Sequence, residues 1–190
     1  MPRAWARRIE AAVVVETLRV KDYEIRPAVT KDAAALYHFG ETLLGETSFF
    51  LRGPGERARS VGEMRGVIER FEAQPHYLLL NAWQGPEAVA EAIAMGGDFS
   101  RNENTATVGI GVLAAHGSRG LGHALMGMLD NFARKQRLHR LELTVMAHNT
   151  VARNLYRELG YVEEGTKRDS LLVDGAFVSE VMMAKIFDLS

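Results

Sequence analysis

Cysteine is absent from the 190 residues, which excludes disulfides, thiolate metal sites and a cysteine nucleophile. No apolar run approaches the roughly 20 residues of a membrane-spanning helix, so no membrane partner is expected. Charge of one sign is also lacking. Lys+Arg 23 against Asp+Glu 24 gives a net charge of −1, too little for a global basic field that would capture nucleic acid. Internal repeats, low-complexity tracts and linkers are missing as well. What remains, 47% hydrophobic and 25% charged residues, is the composition of a soluble globular domain rather than a disordered chain. One domain is expected, since a domain takes roughly 100–200 residues, and that length builds a core without staples. These features fit the cytoplasm.

The first twenty residues stand apart. Arg3, Arg7 and Arg8 precede the five apolar residues Ala11 to Val15, a run too short for a signal-peptide core and without a small-residue cleavage site after it. Residues 1–20 therefore read as an extension of unassigned role, either a short helix or strand on the domain or a flexible arm. Residues 21–190 read as the domain.

Element signals follow in order. Tyr23 and Ile25 mark a strand halted by Pro27. Thr30 can cap a helix reaching about Gly45, with Leu36, Phe39 and Leu43 on one face. Thr47 to Arg59, with Gly53-Pro54-Gly55, is a loop. Ser60 to Glu63 forms a capping box ahead of Met64, Val67, Ile68 and Phe71 at helical spacing. Tyr77–Trp83, Ala88–Met95 and Thr105–Ala115 read as three strands. A helix with Leu121, Leu125, Leu129 and Phe132 comes next, then a half-buried strand at Leu141, Leu143 and Val145. Asn149 opens a last helix that Gly160 ends, and Asp174-Gly175 joins two long strands as a hairpin. The order β-α-α-β-β-β-α-β-α-β-β describes an α+β domain with a mixed, mostly antiparallel sheet of about seven strands and four helices.

The stretch from Val112 to Gly122 carries the most information. Its glycines permit close backbone approach, and a loop feeding a helix N-terminus presents N–H groups to an anion such as a pyrophosphate. A tight connection that binds nothing is the competing reading. A Walker loop is excluded because Gly122-His123-Ala124 lacks its lysine, and a dinucleotide fingerprint lacks its third glycine at Leu125. None of the histidines shows metal-ligand spacing, so no metal is expected.

Further along, Asn149-Thr150-Val151-Ala152-Arg153-Asn154-Leu155-Tyr156, closing on Gly160-Tyr161, resembles the N-x-x-A-x-x-L-Y…G-F/Y signature of the GNAT superfamily of acetyl-CoA-dependent N-acetyltransferases. The glycine loop stands where that superfamily carries its (Q/R)-x-x-G-x-(G/A) pyrophosphate motif, and the element order from Tyr23 to Ile186 is similar too. Glu163-Glu164-Gly165 through Asp174-Gly175 to Met182-Met183 resembles the ribosomal-protein and polyamine acetyltransferase branches. One position departs. Gly117 occupies the place of the usual Gln or Arg, which makes the loop more mobile.

The resemblance implies a set of roles. Acetyl-CoA is the expected co-substrate, in a cleft between the strand ending near Ala114 and the strand Leu141 to Val145. Backbone groups of Val112, Leu113 and Ala114 should pair with the pantetheine arm and donate to the oxyanion. Gly117, Ser118, Arg119, Gly120, Leu121 and Gly122 should hold the pyrophosphate, with Asn149 as a further CoA contact that also suits an N-cap. Tyr156 should protonate the leaving thiolate, a phenol near 10 facing a thiol near 8.5. Glu91, a carboxylate in an otherwise apolar run, is the expected base, with Glu41, Glu46 and His148 as alternatives. The acceptor is a primary amine, on a small molecule or on a peptide or protein, and Glu46, Glu56 and Glu63 suit a cationic one. A homodimer is left open, and a CoA-binding sensor without turnover is the alternative function.

Overall fold

The computed structural model describes residues 15–188, so most of the N-terminal extension, residues 1–14, lies outside the described residues. A sheet of eight strands runs through the described residues in the order β1-β2-β3-β4-β5-β6-β8-β7. Its strands are β1 (Leu18–Val20), β2 (Tyr23–Pro27), β3 (Tyr77–Gln84), β4 (Glu87–Gly96), β5 (Thr105–Val112), β6 (Arg140–Met146), β7 (Val162–Val173) and β8 (Ala176–Ile186). The helices are α1 (Ala33–Glu46), α2 (Val61–Ala73), α3 (Leu121–Lys135) and α4 (Thr150–Glu158). No described helix is long and apolar enough to cross a membrane.

The eighth strand is β1, which pairs antiparallel with β2 although its residues read as part of the extension. Lys21 turns the chain with φ 53, a left-handed position for which the pair Lys21-Asp22 gives no Asn-Gly type of signal. The turn at Asp174 (φ 50) and Gly175 (φ 80) does carry that signal and joins β7 to β8 as expected.

Two cores flank the sheet. On one face Leu36, Phe39 and Leu43 of α1 and Met64 and Ile68 of α2 meet Leu79 and Trp83 of β3. On the other, Leu121, Leu125, Leu129 and Phe132 of α3 cover Leu80, Ala90, Ala92, Ala94 and Leu141, with Tyr156 of α4 and Tyr161 beside them. The short side chains of Ala90, Ala92 and Ala94 let α3 settle close to β4. At the start of α2 the Ser60 hydroxyl accepts from the Glu63 amide at 3.1 Å, while the Glu63 carboxylate turns to the Arg59 amide instead of closing the expected box on Ser60.

The start of α1 differs from expectation. Thr30–Asp32 is a short 3₁₀ turn, and Asp32 rather than Thr30 takes the end amide, accepting from Val29 N–H at 2.9 Å. Arg26 grips the same carboxylate at 2.7 and 2.9 Å. Burial opposes ionisation of Asp32, but the hydrogen bonds from Arg26 and Val29 outweigh it and hold the carboxyl below its ordinary value. A lowered folded-state pKa adds stability above the unfolded value and loses it as pH falls through the folded one. Asp32→Asn should therefore cost about 1–3 kcal/mol near neutrality. Denaturant melts should show that difference shrinking below pH ~4.

Candidate active site

The sheet is antiparallel at every pairing but one. β5 and β6 run parallel, and they pair only over Thr105–Thr107 against Arg140–Glu142. Beyond that point β5 continues to Val112 beside β4, and β6 continues to Met146 beside β8. The two strands thus diverge toward their C-terminal ends, leaving a wedge in the middle of the sheet.

Backbone polarity inside the wedge follows from alternation. Leu113 N–H donates to Val89 O at 3.0 Å, on the β4 side. Successive amides of a strand point to opposite neighbours, so Val112 and Ile110 direct theirs into the wedge. The Ala114 amide is already engaged, donating to Glu46 Oε2 at 2.8 Å. Of the three residues expected to offer backbone donors, only Val112 keeps its amide for a ligand here.

β5 does not run on to Ala115 as its sequence suggests. Ala114–His116 is a 3₁₀ turn that swings the chain toward α3. Ser118 (φ 55) and Gly120 (φ 85) are left-handed, and Gly120 caps α3 with nothing within 4 Å of where a side chain would begin. The first amides of α3, at Leu121, Gly122 and His123, have no acceptor within the helix and point out of its N-terminus. Gly122 is needed for a different reason, because a Cβ there would meet Leu155 of α4 at 3.0 Å. Arg119 folds back toward Ala115 O at 3.3 Å. Gly117, at φ −60 and ψ 159, sits in a conformation open to any residue.

α4 supplies the other wall. The Asn149 side chain caps it, accepting from Ala152 N–H at 3.1 Å, so only its amide nitrogen is left to donate elsewhere. Tyr156 is buried against Tyr161 with ring centroids 5.8 Å apart. Burial pushes its phenol up to about 12.

The α1 face of the wedge is closed by the segment 47–60. Gly111 of β5 makes room for it, since a Cβ there would lie 2.5 Å from Leu43 Cδ2 and 2.9 Å from Phe50 Cζ. Phe49 reaches across to His148, with ring centroids 5.2 Å apart. The acids expected to greet a cation spend an oxygen on backbone instead. Glu46 accepts from Ala114 N–H, Glu56 from Gly53 N–H and Glu63 from Arg59 N–H, at 2.8, 2.8 and 2.9 Å, and Glu41, an alternative base, accepts from Gly55 N–H at 3.1 Å.

Glu91 belongs to a polar row facing α1 and α2. Arg26, Asn81, Glu91 and Gly111 stand opposite one another across β2, β3, β4 and β5. Arg57, from the 47–60 segment, ion-pairs with the Glu91 carboxylate, and Asn81 Nδ2 donates to it at 3.3 Å. Glu91 thus anchors the segment that covers the wedge through Oε2, the oxygen that takes both Arg57 and Asn81. Sequence reasoning missed Arg57, Phe49 and Phe50 here. The one signal for them was glycine on apolar faces, at Gly40, where a Cβ would lie 2.9 Å from Arg57 Nη1, and at Gly111.

A family model described as the Acetyltransferase (GNAT) family matches residues 47–161. The chain belongs to the GNAT acetyltransferase family. The L-amino acid N-acetyltransferase of Escherichia coli K12 is 34% identical over 90 residues, 45% of this chain and 54% of that protein. The match thus spans about half the length of this curated relative. A GNAT-family acetyltransferase from Streptococcus pneumoniae has the same fold at TM-score 0.83 and 23% identity, over 87% of this chain and 99% of that one. The GNAT phosphinothricin acetyltransferase of Sinorhizobium meliloti, solved with acetyl-CoA, superposes at TM-score 0.75 and 15% identity, over 87% of this chain and 88% of that one. The mixed sheet and four helices are those of the GNAT fold.

Proposed function

We propose that this GNAT protein transfers an acetyl group from acetyl-CoA to a primary amine by direct attack. The observation that carries the reading is the wedge between β5 and β6, with the free amides of α3 at its mouth. The residues fit the co-substrate. The open backbone at Gly120 and the amides of Leu121 and Gly122 suit the pyrophosphate, and the inward amide of Val112 suits a chain laid along the strand. Bound there, acetyl-CoA supplies the thioester that the amine attacks.

The protein's own groups then have separate tasks. Val112 N–H donates to the acetyl oxygen as charge grows on it. Tyr156 presents a proton to the departing sulfur. Glu91 takes the proton the ammonium must lose, on the oxygen that Arg57 and Asn81 do not hold. Ser118, Arg119 and Gly117 complete the phosphate loop, and the Asn149 amide donates to the cofactor from the cap of α4. The acceptor is an amine on a small molecule or a peptide, and the half-length match to an L-amino acid N-acetyltransferase supports testing amino acids first.

Calorimetric titration with acetyl-CoA, with ATP and NAD as controls, should give one-to-one micromolar binding for acetyl-CoA alone. A thiol-release assay over an amine panel should then find turnover. Binding without release on any amine would leave a CoA-binding sensor instead. Glu91 has its own check. As the base, Glu91→Gln should cut kcat about 10²-fold and leave the acceptor KM within about twofold. If it only anchors the segment, Glu91→Gln and Arg57→Ala should raise the acceptor KM alike and leave kcat within about twofold.

A further inference from the structure

The 3₁₀ turn Ala114–His116 leads straight into the phosphate loop, and it is held from both faces of the sheet. From the α1 face, Glu46 Oε2 accepts the Ala114 amide at 2.8 Å, across 68 positions of sequence. From the α3 face, the hydroxyl of Tyr23 in β2 lies 3.0 Å from His116 Nδ1, across 93 positions. The two rings meet edge to face, 5.8 Å apart at 81°. Tyr23 is only 3% exposed, so its hydroxyl is fixed by the core. A phenol donating to Nδ1 leaves the ring proton on Nε2 and sets one orientation of the imidazole.

The loop beyond this turn has little to hold itself. Its ties are local, from Gly117 N–H to Ala114 O at 3.2 Å and from Arg119 to Ala115 O. Gly117 offers no side chain, and Ser118 occupies a left-handed conformation that a non-glycine residue visits rarely. Both local ties end on the same turn that Tyr23 and Glu46 fix.

We propose that Tyr23, acting through His116, and Glu46, acting through Ala114, are positioning residues that pre-form the phosphate-binding loop for the CoA pyrophosphate. Neither needs to touch the cofactor. They supply from outside the loop the bracing that no side chain at position 117 provides. The inference rests on the reading of this loop as the CoA site.

Pre-formation is measurable as affinity, because a site populated a fraction of the time binds more weakly by that fraction. Tyr23→Phe deletes the hydroxyl and keeps the ring edge on His116. It should raise the Kd for CoA and the KM for acetyl-CoA about 5–20-fold and leave kcat at saturation within about twofold. His116→Phe, at a half-exposed site, should do the same, and the double variant should be no worse than the poorer single one. Glu46→Gln, which still accepts from the Ala114 amide, should bind CoA as the parent does, whereas Glu46→Ala should bind it more weakly. Hydrogen exchange of Ser118 to Gly122 in the free protein should quicken in Tyr23→Phe and in His116→Phe. CoA affinity within twofold of the parent in both variants, even with a lowered Tm, would overturn the proposal, as would unchanged exchange. If the parent protein itself binds no CoA, the functional reading falls, and the exchange measurement still decides whether Tyr23 holds the loop.

Discussion

Tyr156→Phe should lower kcat about 10²-fold while leaving the Kd for acetyl-CoA within about twofold. The side chain lies in the α3-side core, packed on Tyr161, so phenylalanine keeps its contacts and removes only the hydroxyl. Sequence reasoning pairs a phenol near 10 with a thiol near 8.5, almost balanced for proton transfer. Burial changes that balance by pushing the phenol up to about 12. Complete transfer to a free thiolate is then uphill, and under the proposed mechanism the hydroxyl should act chiefly as a hydrogen-bond donor to the charge growing on sulfur. The sign for pH follows. An acid with a raised pKa stays protonated through the working range, and its contribution is lost only as pH rises through about 12. The pH–rate profile should therefore show no alkaline fall from Tyr156 below pH ~11, where an unperturbed phenol near 10 would give one. Turnover within twofold of the parent at saturating substrates would remove Tyr156 from the mechanism.

The second large effect is on stability. Lys185 of β8 ion-pairs with Asp130 of α3 and donates to Leu159 O at the end of α4 at 2.6 Å. Both charged side chains are mostly buried, 18% and 15% exposed. Gly160, at φ 87, lets the chain turn away there, with room left for the lysine stem 3.7 Å from its missing Cβ. One ammonium thus joins three elements around the wall that carries Tyr156. Removing one partner of a buried pair strands the other, at a cost of roughly 3–5 kcal/mol when burial is complete. With the partial exposure here, Lys185→Met should cost about 2–4 kcal/mol and lower Tm by about 5–10 °C. Asp130 Oδ1, buried without a partner, adds to the penalty, because Lys185 is the compensating charge on that carboxylate. The Tyr161 phenol is pushed far up, first by burial and then by Asp130. Asp130→Leu combined with Lys185→Met should recover some of the loss, since no charge is then left unpaired. Thermal melts of the two single variants and the double variant test this, and a Lys185→Met protein within 1 °C of the parent would contradict it.

Much of the molecule is legible in the chain. Helical spacing at Met64, Val67, Ile68 and Phe71, the Ser60 cap, and the turn residues Asp174-Gly175 act over a few neighbours, so sequence alone places them. The paired motifs at Gly117–Gly122 and Asn149–Tyr156 are local as well, and they point to the GNAT family from residues alone. Lys21 is the local exception. Its left-handed turn builds β1 from residues with no turn signature, because pairing with β2 outweighs the strain of one non-glycine position.

What the chain could not state was which partners its polar groups would find. Glu91 reads as a carboxylate out of place in an apolar strand, and its meaning came from Arg57, 34 positions away, and Asn81 on the next strand. Ala114 reads as a backbone donor for a ligand, and α1 claimed its amide through Glu46. Tyr156 is named by its motif, but its pKa is set by the core that closes over it. Periodicity, turn geometry and short motifs were enough to set most elements and the family, because each acts between near neighbours in the chain. Which donors remain free, which carboxylates are paired and where β5 leaves β6 emerged only on folding, because burial and hydrogen bonding are settled between residues brought together from distant stretches of sequence.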